Sequence, residues 1–192
     1  VVKLDEAGQI SSGDDAVKAI KDKSNLALGS RLMDMGQEQQ AQKYFTRVRL
    51  DGPFSNRALL GLGWANARKE NFKRALVPWT ILSERNVTDS SVQEAIIGVP
   101  YAYGKLGLYG KAALMYGSAL KSIGTELDKL DASIKSIKEG KFLEAMVREE
   151  IKKDRSWVIR LRKLPDSPET YYLMELMASH DFQSSLQNYL DL

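Results

Sequence analysis

Small and apolar side chains recur along this chain at an interval of 34 residues: Leu28-Gly29 returns as Leu62-Gly63, Ala41 as Ala75, Phe45 as Trp79 and Val48 as Leu82. A third copy follows at an offset of 37, reading Tyr103, Gly107, Tyr109, Ala112, Tyr116 and Ala119, with three extra residues in a loop near Asn86 to Ser91. A period of this length marks stacked supersecondary units, none of which can bury its apolar face alone. Breakers divide each unit into two helices. The first has a helix A near 25–35, a break at Gly36 and a helix B near 39–50, closed by Asp51-Gly52-Pro53. Glycine accepts the left-handed conformation in which helices stop, and proline cannot continue one. The second unit runs over about 56–85 with its turn near Glu70-Asn71, and the third over about 91–123 with its turn at Leu106-Gly107.

The repeated small residues have a steric cause. Gly29, Gly63, Ala41, Ala75 and Ala112 are expected where helices A and B cross closely, and Phe45, Trp79 and Tyr116 are expected to fill the gap to the next unit. Pro78 falls inside the second helix B and Pro100 inside the third helix A. An interior proline costs on the order of 3 kcal/mol, so the pair is expected to bend both helices. Residues 1–12 show no helical period. Ser12-Gly13-Asp14-Asp15 then offers side chains that cap a helix start, with Val17 and Ile20 on its apolar side. Residues 1–21 thus form an N-terminal arm and a capping helix, which either runs on into the first repeat or packs on it, before the three repeats of 22–125. Beyond Gly124, the residues Gly140, Phe142 and Ala145 suggest a degenerate fourth repeat over 126–163 with a long helix. Leu164-Pro165-Asp166-Ser167-Pro168 breaks it, and Asp181-Phe182, Leu186 and Tyr189 suggest a partial fifth repeat over 164–192, cut off by truncation of a longer protein.

Asn25, Leu28, Gly29, Leu32, Ala41, Phe45 and Pro53 fill the spacing W-x2-L-G-x2-Y, A-x3-F and P, with Asn25 and Leu32 where aromatics are usual. This pattern resembles the tetratricopeptide repeat (TPR), here in a bacterial TPR-like form. The resemblance implies an all-α, right-handed superhelix of stacked antiparallel helix pairs whose concave surface is lined mainly by helix A. Carried over in register, that surface comprises Leu26, Ser30 and Met33 from the first repeat, Arg57, Leu60, Trp64 and Arg68 from the second, and Ile97, Tyr101 and Lys105 from the third. Trp64 and Tyr101 would take apolar or aromatic anchors of a bound peptide, and Arg68 and Lys105 its acids or carbonyls. The alternative for both rings is packing against a neighbouring helix. One subfamily clamps a C-terminal carboxylate with Lys and Asn on the helix A faces; Leu26, Ser30 and Gly61 stand at those positions, so that clamp is not expected. The implied function is a non-catalytic scaffold that holds a protein or peptide partner. The alternative is an oligomerisation or accessory helical domain of a larger protein.

Composition adds exclusions. The chain has no cysteine and one histidine, His180, so no thiolate chemistry, no cysteine-ligated metal and no histidine cluster can be assembled. Neither a cofactor nor a metal is expected. Paired acids such as Asp14-Asp15 and Glu149-Glu150 read as a helix start and a solvated helix face, not as catalytic pairs. The last 29 residues hold five acids and no Lys or Arg, in a chain of net charge +3. A basic run on the long fourth helix, Lys152, Arg155, Arg162 and Lys163, is a candidate surface for phosphates, an anionic lipid surface or an acidic partner, with a solvated face or docking of the acidic tail as its ordinary explanation. No interleaved aromatic series points to nucleic acid, and no apolar run reaches the ~18 residues of a membrane span. Partners are therefore expected among proteins and peptides, a second copy included, through the terminal helices. The start at Val-Val-Lys, without Met, suggests a processed product and leans toward a periplasmic or secreted location.

Overall fold

A computed structural model describes residues 2–9, 13–141, 172–173, 176–177 and 179–190. Among them the chain forms helices α1 (Val2–Gln9), α2 (Asp15–Asp34), α3 (Glu38–Phe45), α4 (Ser55–Ala67), α5 (Phe72–Ser83), α6 (Ser90–Lys105), α7 (Tyr109–Lys138) and α8 (His180–Leu190), and no strand. The chain divides into two compact units, Val1–Ile123 and Gly124–Leu192.

In the first unit each helix packs on the next in chain order from α1 to α6. Alternate helices also touch, α2 with α4 and α4 with α6. Met115 of α7 packs on the cluster formed by α4, α5 and α6. Sequential pairing with next-neighbour contact is the signature of a helical repeat.

The turns repeat as faithfully as the packing. Gly36, Glu70, Gly107 and Gly140 all have positive φ, at 68°, 57°, 77° and 75°. After the first three, the next backbone N–H reaches back five residues: Gln37 N to Leu32 O at 2.8 Å, Asn71 N to Asn66 O at 3.0 Å, Leu108 N to Tyr103 O at 2.9 Å. These are Schellman endings, which satisfy the orphan carbonyls of each A helix. Glu70 is the sole non-glycine residue with positive φ among the described residues.

The units are held by rings trapped between glycines. Phe45, 4% exposed, lies between Gly29 of α2 and Gly61 of α4: a Cβ at either would stand 2.6 or 2.5 Å from the ring. Trp79, fully buried, lies in the same way between Gly63 of α4 and Gly98 of α6. Each ring thus bridges its own repeat to the next one. Ala41, Ala75 and Ala112 are buried as expected. The third ring differs. Tyr116 is 43% exposed, because α7 runs on as one 30-residue helix instead of turning into another hairpin. The boundary expected at 125–126 falls inside this helix.

Other expectations are revised by side chains distant in sequence. Residues 2–9 are helical after all: α1 lies on α2, where Asn25 Nδ2 donates to Gly8 O at 3.0 Å and leaves no room for a Cβ at Gly8. Asp14 caps α2 by accepting from Ala16 N, and α2 continues without a break from the capping segment into the first repeat. Helix α3 ends at Phe45, five residues short of expectation. Thr46 Oγ1 donates back to Gln42 O, and the buried Asp22 carboxylate accepts from Arg49 N at 3.2 Å and Arg49 Nε at 2.7 Å, which draws the chain out of the helix. One repeat on, Arg85 Nη1 donates to Ser55 Oγ and Asn56 Oδ1, and Asn56 Nδ2 donates to Asp89. Asp22 and Asn56 occupy the same repeat position, 34 residues apart. Pro78 and Pro100 are buried within α5 and α6, and the helical assignment is continuous through both. The missing N–H groups free the carbonyls of Arg74 and Ile96 from their usual partners.

In the second unit, Glu126 is 7% exposed and accepts from Lys129 Nζ at 2.6 Å and from Tyr172 Oη at 2.8 Å. Helix α8 begins at His180, within the segment expected to hold a partial fifth repeat. The basic run of Lys152, Arg155, Arg162 and Lys163, and most of the expected fourth repeat, lie outside the described residues.

Candidate binding face

Residues three or four apart share one side of a helix. Leu26, Ser30 and Met33 therefore lie on one side of α2, and Arg57, Leu60 and Trp64 on one side of α4, with Arg68 at its C-cap in the same row. The two helices touch, and these seven side chains line one open depression of about 380 Å³, together with Asp34, Phe45, Gly61, Ser90 and Ser91. Leu26 and Met33 form its buried floor, 5% and 8% exposed, and Ser30, Arg57 and Arg68 are exposed at its rim.

The remaining three expected residues sit elsewhere. Ile97, Tyr101 and Lys105 follow one another along α6 and do not line the depression. Tyr101, 37% exposed, meets Phe72 edge-on at 5.9 Å and Trp64 at 6.4 Å, and Lys105 Nζ lies 5.6 Å from its ring. Trp64 is half-buried and occupied on several sides. It meets Trp79 edge-on at 4.9 Å, and its indole N–H donates to Glu94 Oε1 at 2.5 Å. It also packs against both hydrophobic clusters of the unit. Trp64 lines the depression and also joins the two clusters, so packing and exposure coexist in this residue.

The rim is asymmetric in charge. Arg68 Nη1 donates to Met33 O at 2.9 Å, a cation on the last carbonyls of α2, where the helix dipole favours it. Arg57 lies about three turns away, in the first turn of α4, and Asp34 is the acid of the lining. Asp89 caps α6 by accepting from Ser91 N at 2.7 Å. Burial pushes the Asp89 carboxyl up, but the hydrogen bonds from Asn56 and Ser91 outweigh it and leave the group below its usual range.

Asp34 and Glu94 fall in the helix-A register, 34 residues before Arg68 and 37 after Arg57, yet stand outside the expected set; Asp34 lines the depression and Glu94 accepts from the Trp64 indole, while Phe72, the neighbour of Tyr101, belongs to the B helix α5 and lies outside that register. Among the described residues, no three His, Asp or Glu side chains gather in a way that could hold a metal ion, and no helix is long and apolar enough to cross a membrane. Compared with protein-family models, curated proteins and solved structures, the chain gives no match.

Proposed function

We propose that this chain is a TPR-like array and acts as a non-catalytic scaffold that holds a peptide segment of a partner protein on the α2–α4 face. The observation that carries the reading is the convergence of seven register-derived side chains on one depression. An apolar floor of Leu26, Met33 and Leu60, an indole and two rim arginines suit a segment that presents an apolar anchor next to an acid or a run of backbone carbonyls. The face is held by the glycine-trapped rings before any ligand arrives, so the receptor side of binding carries little ordering cost.

The test is selection of peptides from a display library on the full chain, followed by affinity measurement on Arg57→Glu and Ser30→Trp. Both positions are exposed, so neither change disturbs the core. Loss of binding to both, with unchanged circular dichroism, supports the assignment. Selected peptides that bind both variants as tightly as the parent rule it out.

A further inference from the structure

Helix α7 carries an apolar seam with alternating spacings of four and three residues: Tyr109, Ala113, Tyr116, Leu120, Ile123, Leu127, Leu130, Ile134 and Ile137. That is the heptad spacing with which one helix packs along another. The seam contains no charge, yet much of it faces water. Tyr109 is 74% exposed, Leu120 77%, Leu127 58%, and Ile134 and Ile137 41% each. The charged residues of the helix, among them Lys111, Lys121, Asp128 and Lys135, lie off the seam.

Gly110, Gly117 and Gly124 each follow a seam residue and stand seven residues apart. Glycine is, after proline, the residue least suited to a helix interior. Among the described residues nothing requires these three: a Cβ at any of them meets no atom within 4 Å, and none has positive φ. Elsewhere in the molecule, helical glycines opposite rings serve one purpose, receiving Phe45 and Trp79 from a packed neighbour. On α7 both halves of that contact, ring and glycine, are present side by side and unmade.

We propose that α7 is a homodimerisation helix, in which the seam pairs with the same seam of a second copy and the rings of Tyr109 and Tyr116 settle over glycines of the facing helix. In heptad packing, a seam side chain enters a hole bounded partly by the residue that follows its counterpart, and here that residue is glycine. An identical face supplies ring and glycine in matching order, as an isologous two-fold contact requires. The area is of the right order. The two tyrosines together expose on the order of 200 Å², and the exposed aliphatic residues of the same seam bring the face toward the ~800 Å² per partner of a stable interface. This interface is separate from the α2–α4 depression and does not depend on what binds there.

The test is sedimentation equilibrium of the full chain through the micromolar range. The expected mass is twice the 21.5 kDa of one chain. Leu120→Glu places a charge in the seam at an exposed position and should weaken the dimer at least tenfold. Leu114→Glu, equally exposed at 77% but on the other side of α7, should leave it intact. Gly117→Leu should also weaken the dimer without lowering the thermal midpoint of the monomer, since its side chain meets only solvent there. A monomer at every concentration overturns the proposal, and so does a dimer to which Leu114→Glu and Leu120→Glu do equal damage.

Discussion

Alanine at Gly61 is the sharpest probe of how the repeats are joined. In an exposed helix this change would stabilise by about 1 kcal/mol. Here the added Cβ would stand 2.5 Å from Phe45 Cζ, and the ring cannot retreat, because Gly29 is already closed against its other side. Overpacking a closed core costs typically 1–3 kcal/mol, and a ring trapped on both sides belongs near the upper end. The net effect is a loss of about 2 kcal/mol, roughly a 30-fold drop in the folded-to-unfolded ratio. With a urea slope near 2 kcal/mol per molar, the midpoint should fall by about 1 M. Trp64 and Trp79 fluorescence reports the transition in this unit. Phe45→Leu should also destabilise, but the double variant should lose less than the two single losses together, since the smaller side chain admits the methyl group. A raised midpoint for Gly61→Ala, or strict additivity with Phe45→Leu, would refute the ring-between-glycines account.

Glu70→Gly should raise stability by about 0.5–1 kcal/mol, because a left-handed residue with a Cβ is strained where glycine is not; thermal unfolding checks this, and an unchanged midpoint would deny the strain. Asp22→Ala should cost about 2 kcal/mol by leaving Arg49 N and Arg49 Nε without their buried acceptor, a figure reduced from that of a fully buried pair because Arg49 is a third exposed; urea titration reads it. The hydrogen bond from Lys129 holds the Glu126 carboxyl below its usual range, against burial and with help from Tyr172. A depressed folded pKa means stabilisation present above the unfolded value of 4.5 and lost as pH falls through the folded one, so Glu126→Gln should flatten the acid limb of the stability profile. At the alkaline end burial, then the Glu126 bond, pushes Tyr172 from 10.0 to about 12, so its stabilisation holds below 10.0 and is lost as pH rises through about 12. Tyrosinate absorbance should show that late step in the parent and lack it in Tyr172→Phe.

The repeat was legible because its cause is local and recurrent. Gly29, Gly63, Ala41 and Ala75 are small for one reason each time, and position alone placed the Glu70 turn even though glutamate is a poor residue for it. The depression followed from the same register, since α2 and α4 present equivalent sides. What escaped was decided by partners distant in sequence. α1 forms a helix on the strength of Gly8 against Asn25, and α3 stops early because Asp22 captures the backbone at Arg49. Gly124, where the pattern loosens, begins the second compact unit, but one glycine does not end a helix without a breaker beside it, and α7 runs through. The contact of Tyr101 with Phe72, on a B helix, likewise lies outside helix-A register.

Trp64 touches both hydrophobic clusters of the first unit and lines the α2–α4 depression. A linear array ordinarily confines a disturbance to nearest neighbours. A shared indole shortens that path. An occupant that immobilises this side chain tightens the first and second hairpins at once, and the second and third with them, so ligation should be registered as slower amide hydrogen exchange in α6, a helix the occupant need never touch.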